Sequence, residues 1–214
     1  MRTLEITDAV ATLCKEVNKL TPSDGRLMVA LNGAPASGKT TLAEQAADAL
    51  VAAGLPAVFV PMDGFHMDNR VLDQRGRRAE KGAPDTFDAH GFVHSMKRLK
   101  TGEQVVMPTF DRDRDIAIAG AIVVEPETKI VVAEGNYLCF DQSPWDRLMP
   151  LWDLSVYLDI TRETLRKRLI QRWLGLGLTQ EAAEHRSDVY DLANADLISN
   201  HRMETDLVLQ EKRS

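Results

Sequence analysis

Short, wholly apolar runs alternate along this chain with longer stretches in which apolar residues return every three or four positions. Residues 27–31 form one such run and read as a buried strand. Residues 40–53 follow with Leu42, Ala46, Ala49, Leu50 and Ala53 at helical spacing, and Gly54 closes that helix. Further strand-like runs lie at 57–61, 104–107, 121–124, 129–133, 153–158 and 206–209. Helical stretches are expected at 88–100, 161–174 and 179–192. An N-terminal helix is expected over 4–20, carrying Val10, Leu13, Val17 and Leu20 and ended by the turn residues Pro22-Ser23-Asp24-Gly25. Strands alternating with helices predict an α/β fold: one domain over 1–214, with a parallel sheet covered by helices on both faces.

Between the first buried run and its helix stands Gly33-Ala34-Pro35-Ala36-Ser37-Gly38-Lys39-Thr40, which satisfies G-x-x-x-x-G-K-[ST]. This is a P-loop, in the strand–loop–helix context the motif requires. A triphosphate needs backbone N–H donors within touching distance, and side chains at Gly33 and Gly38 would block that approach. The nucleotide cradle is therefore assigned to Gly33, Ala34, Ala36, Ser37, Gly38, Lys39, Thr40 and Thr41. Lys39 serves as the point charge on the β- and γ-phosphates, and the Thr40 hydroxyl turns toward Mg²⁺. ATP and Mg²⁺ are the expected cofactors.

Ligands of parallel sheets sit beyond the carboxyl ends of the strands, which directs attention to the residues after each apolar run. After 57–61 comes Asp63, a carboxylate able to bind Mg²⁺ or to accept the proton of an attacking hydroxyl; a turn-forming Asp-Gly pair is the plainer reading. After 129–133 comes Glu134, placed to hold the metal shell unless it is a solvated loop residue. The stretch beginning at Arg162 crowds Arg166, Lys167, Arg168 and Arg172 beside an apolar face of Leu165, Leu169 and Trp173. It reads either as a solvated basic face or as a helical lid over about 162–185, with Arg168 and Arg172 facing the phosphates. Residues 108–115, rich in alternating charge, suit an acceptor pocket or a solvated hairpin edge equally.

The 214 residues are 44% hydrophobic and 27% charged, with a formal net charge of −6. That acidity argues against a general nucleic-acid or membrane surface. The longest nearly apolar stretch, 49–62, is broken by Gly54 and Pro56 and is too short to span a bilayer. Without a signal-like N-terminus, and with only Cys14 and Cys139, a cytoplasmic location is expected. His66, His90 and His94 show no metal-ligand spacing.

GAPASGKTT, MDGFH, KGAPDTFD, PTFDR, VVAEGNYL, the arginine-rich segment and Asn194-Ala195-Asp196-Leu197-Ile198 together resemble the uridine kinase, phosphoribulokinase and bacterial pantothenate kinase group. The likeness is greatest to the branch labelled fructose-transport-system or pantothenate-kinase-like kinases. The resemblance implies Asp63 as catalytic base, Glu134 in the metal shell, Arg168 and Arg172 in the lid, and Asn194 near the nucleotide base. It implies an acceptor region over 63–115, with Asp63, His66, Phe110, Asp111 and Arg112, joined by Tyr137, as substrate-binding candidates. Two departures touch the substrate. Where uridine kinases carry a His and an Arg after their P-x-Y-D segment this chain has Asp115 and Ala117, with Phe110 for the Tyr. Where pantothenate kinases carry Ser-His it has Asp111-Arg112.

The expected activity is transfer of the γ-phosphate to a hydroxyl of a small metabolite: a sugar, a nucleoside or a pantothenate-like vitamin. A homodimer is left open. The alternatives are a nucleoside monophosphate kinase, or a nucleotide-binding regulator of transport without turnover. A regulatory GTPase is disfavoured because no N-K-x-D follows a late strand.

Overall fold

A computed structural model describes residues 2–6, 8–20 and 25–211. Its strands are β1 (Arg2–Glu5), β2 (Leu27–Gly33), β3 (Ala57–Pro61), β4 (Val105–Asp111), β5 (Ile116–Val124), β6 (Ile130–Gly135), β7 (Leu154–Asp159) and β8 (Leu207–Gln210). Its helices are α1 (Ala9–Val17), α2 (Lys39–Ala52), α3 (Asn69–Gln74), α4 (Ala89–Lys100), α5 (Arg162–Gly175), α6 (Gln180–Arg186) and α7 (Leu192–Asn200). Six strands pair in the order β1-β8-β7-β2-β6-β3, every neighbour parallel.

Each residue of β2 and β6 is buried, as a sheet covered on both faces requires. Alternation along β2 feeds two cores. Met28 and Ala30 join Phe92, Met96 and Leu99 of α4 together with Trp145, while Leu27, Val29 and Leu31 meet Leu42, Ala46 and Leu50 of α2 and Leu13 and Val17 of α1. A third, smaller core packs Leu165 and Leu169 of α5 and Leu192 and Ala195 of α7 onto Ala34 of the P-loop. This apolar contact seats the lid over the phosphate loop.

Three sequence expectations are corrected. The N-terminal segment is not one helix over 4–20: Arg2–Glu5 is an exposed edge strand on β8, and α1 starts only at Ala9, where the Asp8 carboxylate accepts the Ala11 N–H. The turn at Pro22-Ser23-Asp24 lies outside the described residues. The strands expected at 104–107 and 121–124 are not part of the parallel sheet: β4 and β5 form a separate antiparallel hairpin, longer than the runs suggested. In β5 the isoleucines at 116, 118 and 122 are half-buried between exposed neighbours, the pattern of a strand packed on one face only. Finally, the helix expected to stop at 192 continues through a π-helical segment, Ser187–Asp191, into α7.

Candidate functional site

The P-loop emerges where β2 enters α2. Ala36 holds φ 64° and Gly38 φ 92°, left-handed turns that fold the loop back over the start of α2. Gly38 is exposed, so its backbone is open to a ligand. Lys39 opens α2 with its side chain nearly buried, and its Nζ makes only a 3.3 Å bond to the Ala34 carbonyl. Burial pushes its pKa down, and the carboxylates of Glu134 and Asp63 pull it back up.

Glu134 pairs in register with Leu31 of β2 on one side and Pro61 of β3 on the other, so the sheet sets its carboxylate beside the P-loop. It is 1% exposed; burial raises its pKa to about 7, opposed by Lys39 and by a hydrogen bond with Thr40. No group of three His, Cys, Asp or Glu side chains forms a metal cage among the described residues. Mg²⁺ does not need one, because it is commonly held by one or two carboxylates plus the phosphates themselves. The Thr40 hydroxyl and the Glu134 carboxylate, hard oxygen donors already in contact, fit that ion.

Asp63 follows β3 in a single 3-10 turn, Met62–Phe65. Gly64 is required there, because a Cβ would come within 2.6 Å of the Pro108 carbonyl oxygen of β4. The close approach ties the turn to the hairpin, and Arg112 at the hairpin tip binds Asp63 Oδ2 at 2.6 Å. Burial alone would raise the Asp63 pKa, but surrounding positive charge outweighs it and holds the carboxyl below its usual range. His66 lies 3.8 Å from Asp63, yet its own burial takes it down to about 4. The imidazole is therefore neutral near pH 7, where Arg112, Lys39 and Arg172 are the cations facing Asp63; His66 adds the largest lowering influence on that carboxyl once it is charged.

His66 stacks on Phe87 with centroids 4.0 Å apart and lies 4.9 Å from Phe110. A histidine held neutral contributes stability above its unfolded pKa of about 6.5 and loses it as pH falls toward 4. The wild-type thermal midpoint should thus drop between pH 7 and 4 more steeply than that of His66→Gln, by a difference worth up to about 3 kcal/mol. Parallel melting curves for the two proteins would rule this out.

Lys39, Asp63 and His66 line one cleft of about 1560 Å³ that also takes in Ala36, Gly38, Thr40, Thr41, Phe110, Arg112, Arg168, Arg172 and Asn194, whereas the buried Glu134 is not on its lining. Not all candidates present free groups to it. Gly33 and Ala34 form the buried base of the loop, and the Ser37 hydroxyl is buried without a partner among the described residues. Asp111 does not line the cleft; its carboxylate accepts from the Arg114 N–H and Nε within its own loop. Tyr137 is fully buried behind the wall, its hydroxyl donating to the Gly82 carbonyl at 2.5 Å and lying 2.7 Å from Asn194 Oδ1. Asn194 Nδ2 donates to the same carbonyl. Tyr137 and Asn194 thereby clamp the 81–83 loop to α7.

The two lid arginines differ. Arg168 donates to the carbonyls of Ala36 and Ser37 at 3.3 and 3.2 Å, fastening α5 to the P-loop. Arg172 stands solvent-exposed on the cleft wall; surrounding protein and Arg112 push its pKa down, with Asp63 opposing.

Lys81, Asn136 and Arg186 also line the cleft, although none was singled out as a site candidate. Lys81 Nζ lies 4.9 Å over the Phe110 ring and is bound by Asn69 and Asp115, and Asn136 lines the cleft with a buried Oδ1 that has no hydrogen-bond partner among the described residues. Its place directly after β6, two residues beyond Glu134 at the same strand end, was the available signal for Asn136.

A parallel sheet with a P-loop at its centre, two carboxylates at neighbouring strand ends and an arginine-bearing helical lid defines a P-loop kinase fold. Residues 28–211 match the model of the Phosphoribulokinase / Uridine kinase family. The chain belongs to that family, whose members use ATP with Mg²⁺. It is 35% identical over 199 residues to a Schizosaccharomyces pombe protein with the provisional name uridine kinase, covering 88% of this chain and 84% of the relative. It is 31% identical over 193 residues to the uncharacterized protein YggC of Escherichia coli, covering 86% and 78%. Among solved structures, one from Silicibacter sp. TM1040, provisionally described as a fructose transport system kinase, superposes with a TM-score of 0.88 at 51% identity, over 93% of this chain and 98% of the other. No helix among the described residues is long and apolar enough to cross a membrane.

Proposed function

We propose that this protein transfers the γ-phosphoryl group of ATP to a hydroxyl of a small, soluble metabolite. The observation that carries the proposal is Asp63: a carboxylate kept ionised in the cleft that Lys39 shares with His66 and Phe110. An alcohol must shed its proton during attack, whereas the acceptor of a nucleoside monophosphate kinase is already an ionised phosphate and calls for cations instead.

In the proposed reaction the acceptor displaces Arg112 from Asp63 and donates its proton to the freed carboxylate oxygen. The acceptor oxygen–phosphorus bond forms as the bond from the β–γ bridging oxygen to the γ-phosphorus breaks, and ADP leaves. Lys39 and Arg172 meet the charge that spreads over the transferring group. Mg²⁺, when bound, neutralises charge on the β- and γ-phosphate oxygens.

The two lid arginines should separate kinetically. Arg172→Ala is expected to lower kcat by about 10²-fold or more with little change in ATP affinity, since the charge it meets develops in the transition state. Arg168→Ala should weaken ATP binding as well, because it unfastens the lid. Loss of ATP affinity with kcat preserved in Arg172→Ala would reduce that residue to docking.

The acceptor is identified by an ATP-consumption screen across sugars, polyols, nucleosides and pantothenate-like vitamins, with product mass locating the phosphorylated hydroxyl. Acceptor-stimulated ADP release is expected. Fast hydrolysis that no metabolite stimulates would replace the kinase with an ATPase or nucleotide switch.

A further inference from the structure

Asn136 has no part in the reaction as described, yet the fold delivers it beside the reacting groups. It stands directly after β6, which is flanked by β2, leading into the P-loop, and by β3, leading into the Asp63 turn. Gly135 fixes that position: a Cβ there would come within 2.6 Å of the Met62 Cβ, so the end of β6 packs hard against the residue that precedes Asp63. Asn136 lines the same cleft as Lys39, Asp63 and His66. It is only 8% exposed, and its Oδ1 is buried with no hydrogen-bond partner among the described residues. Buried polar groups are nearly always paired, and a hydroxyl is a fitting partner for an amide, since each can both donate and accept.

The rings of the cleft, by contrast, are engaged among themselves. His66 lies face to face on Phe87, Phe110 leans on His66 with centroids 4.9 Å apart, and Lys81 Nζ stands 4.9 Å over the Phe110 ring. That ammonium is firmly held. Its three donors are spent on Asn69 Oδ1 at 2.7 Å, Asp115 Oδ1 at 2.7 Å and the Asp115 carbonyl at 3.0 Å, and its side chain is nearly buried. A flat base can stack on that face of Phe110 only by pulling a buried ammonium from its carboxylate, which is strongly unfavourable. An unmade hydrogen bond at Asn136 beside an occupied aromatic face suits a ligand rich in hydroxyls and poor in aromatic surface.

We propose that Asn136 is a specificity-determining residue of the acceptor site, bonding a hydroxyl next to the one that gives its proton to Asp63, and that the acceptor is a small polyhydroxylated molecule rather than a nucleoside. The inference rests on the kinase reading and narrows its acceptor to one chemical class.

The test measures ADP release from Mg·ATP with sugars, polyols and sugar acids, D-fructose, ribitol and D-gluconate among them, against the nucleosides uridine and adenosine. It is then repeated with the deoxy analogue of the compound phosphorylated, lacking the neighbouring hydroxyl. A compound of the first group should stimulate release and the nucleosides should not. In the wild type the deoxy analogue should lose about tenfold or more in kcat/KM, because a site built to bond a hydroxyl rejects a ligand without it. Asn136→Ala should lose as much with the parent compound while KM for ATP stays within about twofold. Both changes remove the same contact, so Asn136→Ala should treat parent and deoxy compound within about twofold of each other. The wild-type comparison needs no substitution, so misfolding of the variant cannot imitate its result. Turnover of a nucleoside in place of, or as fast as, every compound of the first group would overturn the proposal and leave the kinase reading standing. A deoxy analogue turned over as well as its parent by the wild type would do the same. So would losses in the wild type and in Asn136→Ala that multiply, or a KM for ATP that rises as much as that for the acceptor, which would assign Asn136 to the phosphates. A wild type that no compound stimulates would instead remove the kinase reading, and this inference with it.

Discussion

Lys39→Ala is expected to lower kcat by at least about 10²-fold while leaving the melting temperature of the free protein within a few degrees of wild type. The ammonium is nearly buried but makes only one long contact, to the Ala34 carbonyl, so the fold gains little from it. What Lys39 does supply is charge: it is the cation set against both Glu134 and Asp63, and burial already works against its protonation. A group so placed is sustained by what enters the cleft rather than by what surrounds it. Removing it should also leave Glu134 harder to ionise, since Lys39 is the largest influence opposing the burial that raises that carboxyl. An unchanged kcat would sink the assignment of the P-loop as the phosphate site.

The P-loop was legible because its constraints are local. Eight consecutive residues carry the turn geometry, the charge and the hydroxyl, and an apolar run and a helical period bracket them. Asp63 and Glu134 were legible for a related reason: each stands just past an apolar run, and in a parallel sheet that position fixes where a side chain emerges. The exposed four-residue strand Arg2–Glu5 carries no alternation to announce it, and only pairing with β8 at the other end of the chain makes it a strand. The hairpin was misplaced because its runs look like those of the sheet until the half-burial of β5 is counted. Asp111 and Tyr137 illustrate a different limit. Their residue types suit an acceptor pocket, but hydrogen bonds to Arg114 and to Gly82, which no spacing reveals, commit them elsewhere.

Asp63→Asn is expected to leave ATP binding nearly intact and to lower phosphoryl transfer to the acceptor by about 10²- to 10⁴-fold, the range for losing a positioned general base. The amide keeps the size of the side chain and an oxygen that Arg112 can still bind, but it cannot take the acceptor's proton. The structure sharpens the expectation in two ways. Because positive charge holds the Asp63 carboxyl below its usual range, the base stays ionised through mildly acidic conditions, so kcat/KM should show no falling limb from this group between about pH 5.5 and 8. Because Arg112 occupies Oδ2 at 2.6 Å, an acceptor must compete with it, and Arg112→Ala should alter KM for the acceptor before it alters KM for ATP. A metal-holding role for Asp63 leads to a different result, since excess Mg²⁺ would then restore much of the lost rate. Titrating Mg²⁺ against Asp63→Asn at saturating ATP, once an acceptor is known, separates the two: full rescue refutes the base assignment, and a deficit that persists at saturating metal supports it.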